Sequence, residues 1–147
     1  MAASIYLFNN WRKAAQSGAN LNGATLKATL HTSSYTPNVA SQAVYADVSN
    51  ELSTANGYAN GGEALTGLAF NVSGATALLT ASPTVWTASG GSIVARYLVL
   101  RYVGTVNSQT DPLILYVLLD NTPADVTATT GNALTVTWSG SGVYVTS

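Results

Sequence analysis

Two stretches of the chain are apolar at both alternating sets of positions, and this feature limits the available folds more than any other. They are SIVARYLVL at residues 92–100 and LILYVLL at residues 113–119. Successive side chains of a β-strand point to opposite faces of the sheet, so a strand that is apolar on both sets is covered on both faces. We therefore expect these two stretches to pair as the central strands of a β-sandwich.

Arg96 and Arg101 interrupt the first stretch and its continuation. They break the run well short of the roughly 18 apolar residues that a membrane-spanning helix requires, so we predict no membrane partner. Because their positions differ by an odd number, the two side chains should point to opposite faces and form no common basic patch. For both arginines we consider two roles, a structural ion pair and an interface with a second chain. The candidate acidic partners of Arg96 are Asp47, Glu51, Glu63 and Asp120.

An earlier segment, ATLKATLHT at residues 24–32, has the period-two pattern of a strand with one exposed face. Its apolar set is Leu26, Ala28 and Leu30. The opposite set, which we expect to face solvent, is Thr25, Lys27, Thr29 and His31.

Short turn signals separate the later apolar segments. Ser73-Gly74 lies between LTGLAFNV and TALLTA, and Gly131-Asn132 lies between ADVTATT and ALTVTWSG. Two-residue turns with Gly or Asn match the twist of antiparallel strands, so we expect each turn to close a hairpin. The pattern predicts roughly eight or nine strands in one domain over residues 1–147.

The only convincing helical pattern lies at the amino terminus. Ser4 can cap a helix there, and Gly18 can end it. Between them, apolar residues recur at steps of three and four: Ile5, Phe8, Trp11 and Ala15. We expect a helix within residues 1–17 that lies on the sheet, since exposing its aromatic residues would be costly.

Residues 33–64 form a long segment rich in Ser, Asn, Gly and Ala. A connection of this length is uncommon in a compact domain unless it has a function. We expect an extended loop anchored by Tyr35, Tyr45 and Tyr58, with at most one helical turn in YADVSNEL. It is either a contact surface or a crossover between two sheets.

The composition excludes several classes of function. Charged residues make up 7% of the chain, the formal net charge is -1, and only five residues are Lys or Arg. Such a chain has no basic stripe for nucleic acid. Its nearly neutral surface favours packing against neighbours. The chain contains no cysteine, and its basic pair Arg12 and Lys13 follows a short apolar patch, which is the reverse of a secretory signal.

We find no residue pattern that predicts catalysis, a cofactor or a metal site. His31 is the only histidine, and on the polar face of a strand it is best interpreted as an exposed residue. The six carboxylates are scattered along the chain. Trp86 and Trp138 could stack sugar rings, which makes a carbohydrate-binding module an alternative, although tryptophan within a strand more often packs in a core or an interface.

The order of several segments resembles that of small structural proteins of tailed bacteriophages. These segments are LKATLHTSSYTP, GYANGGEALTG, VARYLVLRYVG and the terminal NALTVTWSGSGVYVTS. The likeness runs from about Leu26 to the end of the chain and includes the helical segment before it. Arg96 matches the arginine of the family's ARY strand, whereas Arg101 departs from its pattern.

The resemblance implies a β-sandwich or jelly-roll protein with a short N-terminal helix and no catalytic residues. It implies a non-enzymatic capsid cement or decoration protein, made in the host bacterial cytoplasm and bound to the outside of the virion head. The expected partners are the major capsid protein and further copies of this chain, as a dimer or trimer. A tail or baseplate component is the alternative within the virion.

Five residues are our candidates for contact with the capsid or with another copy. They lie in the N-terminal helix and in the long loop: Phe8, Trp11, Arg12, Tyr45 and Tyr58. If the helix makes the contact, deletion of residues 1–17 should abolish binding to heads and leave the sandwich folded.

Overall fold

The computed structural model describes residues 3–21, 23–74, 76–138 and 143–146. Within these ranges the chain is mainly β, with one short α-helix and antiparallel strand pairs. The elements are β1 (Ser4–Leu7), α1 (Asn9–Gln16), β2 (Leu26–His31), β3 (Glu63–Ala64), β4 (Ala69–Ser73), β5 (Thr76–Thr80), β6 (Thr84–Thr87), β7 (Ile93–Ala95), β8 (Tyr97–Tyr102), β9 (Thr105–Val106), β10 (Gln109–Thr110), β11 (Leu113–Leu118), β12 (Val126–Ala128), β13 (Ala133–Val136) and β14 (Tyr144–Thr146).

The second half of the chain is a nested series of antiparallel pairs. From the outside inwards, β5 pairs with β14, β6 with β13, β7 with β12, β8 with β11, and β9 with β10. This is one long hairpin that folds over on itself, which is the pairing pattern of a jelly roll. The fold is therefore a β-sandwich of jelly-roll-like topology, as the sequence and the resemblance predict.

The largest sheet has five strands in the order β1-β11-β8-β2-β3. The predicted pairing of the two fully apolar stretches is confirmed, because β8 and β11 are neighbours at its centre. Beyond β3, the long loop continues along the edge of β2: the Leu52 N–H donates to the Leu30 carbonyl, and the Thr32 N–H to the Asn50 carbonyl.

The predicted strand at residues 92–100 is divided at Arg96. Ala95 pairs with Val126 in a two-stranded sheet, whereas Tyr97 pairs with Leu118 in the large sheet. The ladder bends at this point, so one chain segment serves two sheets, as at the corners of packed sheets. This division and the short pairs raise the number of strands above the predicted eight or nine.

The main core lies on one face of the large sheet. Leu26, Ala28 and Leu30 of β2 and Leu98 and Leu100 of β8 are all fully buried. They belong to one cluster with buried residues of the strands outside the large sheet, namely Leu79, Trp86, Ile93, Ala128 and Leu134.

The other face of the large sheet is covered by the long loop. Val99 and Leu113 pack with Phe8 and Tyr35 in a second cluster, and Val39, Tyr45 and Val48 of the loop lie against it. Of the set expected to face solvent, Thr25 is exposed and Lys27 is partly buried, whereas the expectation is wrong for Thr29 and His31. Thr29 and His31 have 0% exposure because loop side chains that are distant in sequence lie over them.

The N-terminal prediction is correct in part. Asn9–Gln16 form the helix, which buries Trp11 and Ala14. Ser4–Leu7 instead form β1, which pairs with β11, so Ser4 is not the helix cap. The local pattern of Ser4–Leu7 permits either a helix or a strand. These four residues form a strand because the free edge of β11 supplies partners for their backbone hydrogen bonds. Residues 1 and 2 lie outside the described ranges.

The two predicted turns have different outcomes. Ser73-Gly74 lies at the end of the antiparallel pair β4–β5, as predicted. Gly131-Asn132 closes no hairpin between its flanking strands, because β12 pairs with β7 and β13 pairs with β6. The backbone of both residues bonds to Ala88 instead. The predicted helical turn in the long loop is present as a 3₁₀ turn at Tyr45–Asp47.

Candidate functional site

Arg96 lies at the bend between β7 and β8 and forms an ion pair with Asp125. Its Nε is 2.7 Å from the Asp125 Oδ1, and the two side chains are 23% and 40% exposed. The partner is thus Asp125 and not one of the four acidic residues that we considered. The pairing of β12 with β7 decides this, since it places the residue before Val126 next to the residue after Ala95. The pair fastens the bend, and such exposed pairs contribute little to stability.

Arg101 is buried and bridges the large sheet to the long loop. Its Nη1 donates to Asp111 at 2.7 Å, and its Nη2 donates to the Gly61 carbonyl at 3.1 Å. The guanidinium carbon lies 3.9 Å from the centre of the Tyr45 ring, a cation–π contact. With an exposed fraction of 7%, the residue leaves little surface for a second chain. This geometry gives Arg101 a structural role in holding the loop.

Glu51 is the centre of the same polar network, and sequence analysis considered it only as a partner of Arg96. Its carboxylate accepts hydrogen bonds from the Tyr58 hydroxyl at 2.6 Å, from the Gly61 N–H at 2.6 Å and from the Tyr45 hydroxyl. Burial, followed by the bond to Glu51, raises the pKa of Tyr45 to about 12 and that of Tyr58 well above its usual value. Both hydroxyls therefore remain protonated donors.

His31 lies in the interior, so its interpretation as an exposed strand histidine is wrong. Its Nδ1 is 2.7 Å from the Ser49 carbonyl oxygen, and its Nε2 is 2.9 Å from the Thr29 hydroxyl. Burial lowers the pKa of His31, and this outweighs the opposing effects of the Ser49 carbonyl and of Glu51. Since a carbonyl can only accept, Nδ1 carries the proton of the neutral ring and Nε2 accepts from Thr29.

Three of the five candidate contact residues are buried, and their assignment to a contact surface is wrong. Phe8, Trp11 and Tyr58 are 0%, 1% and 2% exposed, respectively. Arg12 is exposed and Tyr45 is partly buried. Because Phe8 and Trp11 belong to the two apolar clusters, deletion of residues 1–17 would remove part of the core. Such a deletion cannot separate binding from folding.

The tryptophans that suggested sugar binding are buried as well. Trp86 is 2% exposed and Trp138 is 6% exposed. The Trp138 indole donates a hydrogen bond to the Thr84 hydroxyl at 3.1 Å. Both rings therefore serve packing between strands and offer no stacking face to a sugar.

Two edge strands of the described chain each carry two exposed large apolar side chains, and the other exposed ones are Val85, Val94 and Val103. In β1, the outermost strand of the large sheet, Ile5 and Tyr6 are 48% and 44% exposed. In β4, the outermost strand of the sheet β14-β5-β4, Phe70 and Val72 are 44% and 73% exposed. We call these two strands the β1 edge and the β4 edge. Neither contains a charged residue, although charge is a common protection of edge strands against pairing with other chains.

A groove of about 460 Å³ opens beside the β1 edge. Most of its lining is apolar and comes from Ala3, next to β1, and from β11, β12, β13 and the residues next to them. The apolar residues are Ala3, Val117, Leu119, Val126, Ala128, Ala133, Leu134 and Val136, and the others are three threonines. Among the described residues, no group of three or more acidic or histidine side chains could hold a metal ion. No helix in the described part of the chain is long and apolar enough to cross a membrane.

These features define a mainly β, jelly-roll-like protein that presents exposed apolar residues on two uncharged edge strands. Comparisons with protein-family models, with curated proteins and with solved structures found no match to the chain.

Proposed function

We propose that this chain is a non-enzymatic structural protein of a tailed-phage virion, a capsid cement protein that binds the outside of the head. The observation that carries the proposal is the β1 edge. Ile5 and Tyr6 are about half exposed there on a strand whose outer side pairs with no other strand of the sheet. An edge of this kind can accept a strand from another protein and hold it by backbone hydrogen bonds.

The chemistry of the surface supports a role in a protein lattice. With 7% charged residues and a net charge of -1, copies can crowd together with little mutual repulsion. Each contact of a cement protein can be weak, because many copies on one lattice gain strength through avidity. The partner in this proposal is the major capsid protein, and the location is the exterior of the virion.

The long loop supports a rigid scaffold for such contacts. Arg101 of β8 ties the loop to the sheet by a charge-assisted hydrogen bond to the Gly61 carbonyl, and Glu51 joins parts of the loop to each other through the Gly61 N–H. Tyr35 and Tyr58 of the loop are buried. Residues 33–64 thus serve mainly as a cover of the large sheet. Within the N-terminal segment, Ile5, Tyr6 and Arg12 replace Phe8 and Trp11 as the residues that can reach a capsid subunit.

A decoration assay tests the proposal. Heads prepared without this protein are incubated with the wild-type chain or with Ile5→Lys, and the bound copies are counted. We expect Ile5→Lys to reduce occupancy at least tenfold, since it places a charge in an apolar contact, while circular dichroism shows an unchanged fold. Val103→Lys is the matched control, because it makes the same kind of change at a valine that is 36% exposed away from the edge.

Two results would contradict the proposal. Equal occupancy of Ile5→Lys and wild type would remove the β1 edge from the contact. Electron microscopy of labelled particles that places the chain on the tail or baseplate would replace the cement role with the alternative virion role.

A further inference from the structure

The β4 edge is exposed on both of its faces. Along Ala69–Ser73, the four residues from Ala69 to Val72 are all exposed, so this strand stands clear of the body of the protein. Its inner side pairs with β5 through five residue pairs, and it is the last strand of its sheet. Its outer backbone groups are therefore available for pairing with a further strand.

The sequence of this strand matches itself in the antiparallel direction. If two copies pair about a two-fold axis at Asn71, Phe70 of each copy lies opposite Val72 of the other, and the two Asn71 residues lie opposite each other. An aromatic residue beside a β-branched residue is a favourable cross-strand pair. Two asparagine side chains that face each other can each donate and accept a hydrogen bond. The exposed apolar side chains would cover each other on one face of the joined sheet.

Charge also favours a second copy as the occupant. From Ala64 to Ala95 the chain contains no Asp, Glu, Lys, Arg or His. Two copies that meet edge to edge through this region bring no like charges together. The region also contains no charged side chain that would favour a partner of opposite charge. A two-fold contact uses the same patch on both subunits, so it requires a self-complementary surface of this kind.

We propose that this chain forms a two-fold symmetric dimer in which β4 of one copy pairs antiparallel with β4 of the other, centred on Asn71. The two sheets β14-β5-β4 then become one continuous six-stranded sheet. A contact of five residues on each side is small, so the dimer is weak in solution. We expect a dissociation constant on the order of 10–1,000 µM. The dimer does not rest on the cement role, since it involves the purified chain alone and leaves the β1 edge free.

Sedimentation equilibrium of the full chain, from micromolar to near-millimolar concentration, tests the association. The wild type should pass from monomer to dimer in this range. Val72→Lys should weaken the association at least tenfold, because it places a charge beside Phe70 of the other copy. Val103→Lys, at an exposed valine outside β4, should dimerise like the wild type. A wild-type chain that remains monomeric throughout would overturn the proposal.

Cysteine cross-linking tests the register, and the chain has no natural cysteine to interfere. Residues directly opposite in an antiparallel pair have Cα atoms about 4.5–5.5 Å apart, within the range that a disulfide bridges. Asn71→Cys should therefore give a covalent dimer under mild oxidation. In Val72→Cys the two cysteines are diagonal neighbours about 7–8 Å apart, so their cross-linking should be at least tenfold slower.

Equal cross-linking of the two cysteine variants would refute the proposed register. If Val72→Lys lost head binding while the wild-type chain stayed monomeric, the β4 edge would belong to a capsid contact, and the dimer would be refuted while the cement role stood. If the dimer formed and heads remained undecorated, the dimer would stand and the cement role would be refuted.

Discussion

Replacement of Glu51 by alanine tests whether the polar network stabilises the long loop that covers the sheet. The change removes the acceptor of three hydrogen bonds, from Tyr45, Tyr58 and the Gly61 N–H. A hydrogen bond to a charged group contributes about 1.5–3 kcal/mol, and such contributions within one network are not additive. Glu51 is only partly buried, so water can replace part of what is lost. We therefore expect a loss of about 2–4 kcal/mol in the free energy of unfolding.

For a chain of this size, that loss corresponds to a decrease of about 5–12 °C in Tm, measurable by calorimetry. Glu51→Gln keeps one acceptor oxygen and should lose about half as much stability. Glu63→Ala is the matched control, since it removes the same charge from an exposed position on β3 and should change stability by less than about 0.5 kcal/mol. Hydrogen exchange should show lost protection of the Gly61 amide in Glu51→Ala only. Equal Tm values for Glu51→Ala and Glu63→Ala would refute the reasoning.

Three further predictions concern the backbone and pH. Gly62→Ala should lower the free energy of unfolding in urea by about 2–4 kcal/mol, because φ is +77° and the new Cβ would lie 2.1 Å from the Ala28 carbonyl oxygen. Gly61 has open space around it, so Gly61→Ala should lower this free energy by only about 1–2 kcal/mol. The pKa of His31 is lower in the folded chain than its usual 6.5, so the unfolded chain binds the proton first and stability should fall as pH drops below about 6.5. A slope of the unfolding free energy between pH 7 and 5 that is the same in His31→Asn would contradict this assignment. Ser108 has a φ of 62° in the turn between β9 and β10, a left-handed conformation that glycine adopts without strain. Ser108→Gly should therefore raise the free energy of unfolding by roughly 0.5–1 kcal/mol. A lower Tm in this variant would show that the left-handed conformation of Ser108 carries no strain.

Local pattern was sufficient where a residue's surroundings follow from its neighbours in sequence. The apolar character of both sets in residues 92–100 and 113–119 predicted two central strands. Their pairing is confirmed for β8 and β11, although the first stretch is divided at Arg96 between two sheets. The pattern was insufficient for Ser4–Leu7, whose residues suit both a helix and a strand. There, pairing with the free edge of β11 selects the strand, and no pattern in the local sequence indicates that this edge is free.

The candidate site shows the same limit. Sequence indicated the importance of Arg96 and Arg101 because a charge within an apolar run must be compensated. It could not identify Asp125 and Asp111 as their partners, since each pairing depends on which strands become neighbours. The exposure of Phe70 and Val72 likewise depends on β4 being the last strand of its sheet.

The sequence by itself determined a nearly uncharged, mainly β chain with a short helix and two central strands, because side-chain alternation and composition are local properties. The tertiary structure alone decided which faces and edges of the sheets are covered. Thr29 and His31 became interior residues when the loop folded over them, and the β1 and β4 edges stayed open because no segment of the described chain reaches them. Burial of a face depends on contacts between residues far apart in sequence, and these exist only when the whole chain has folded.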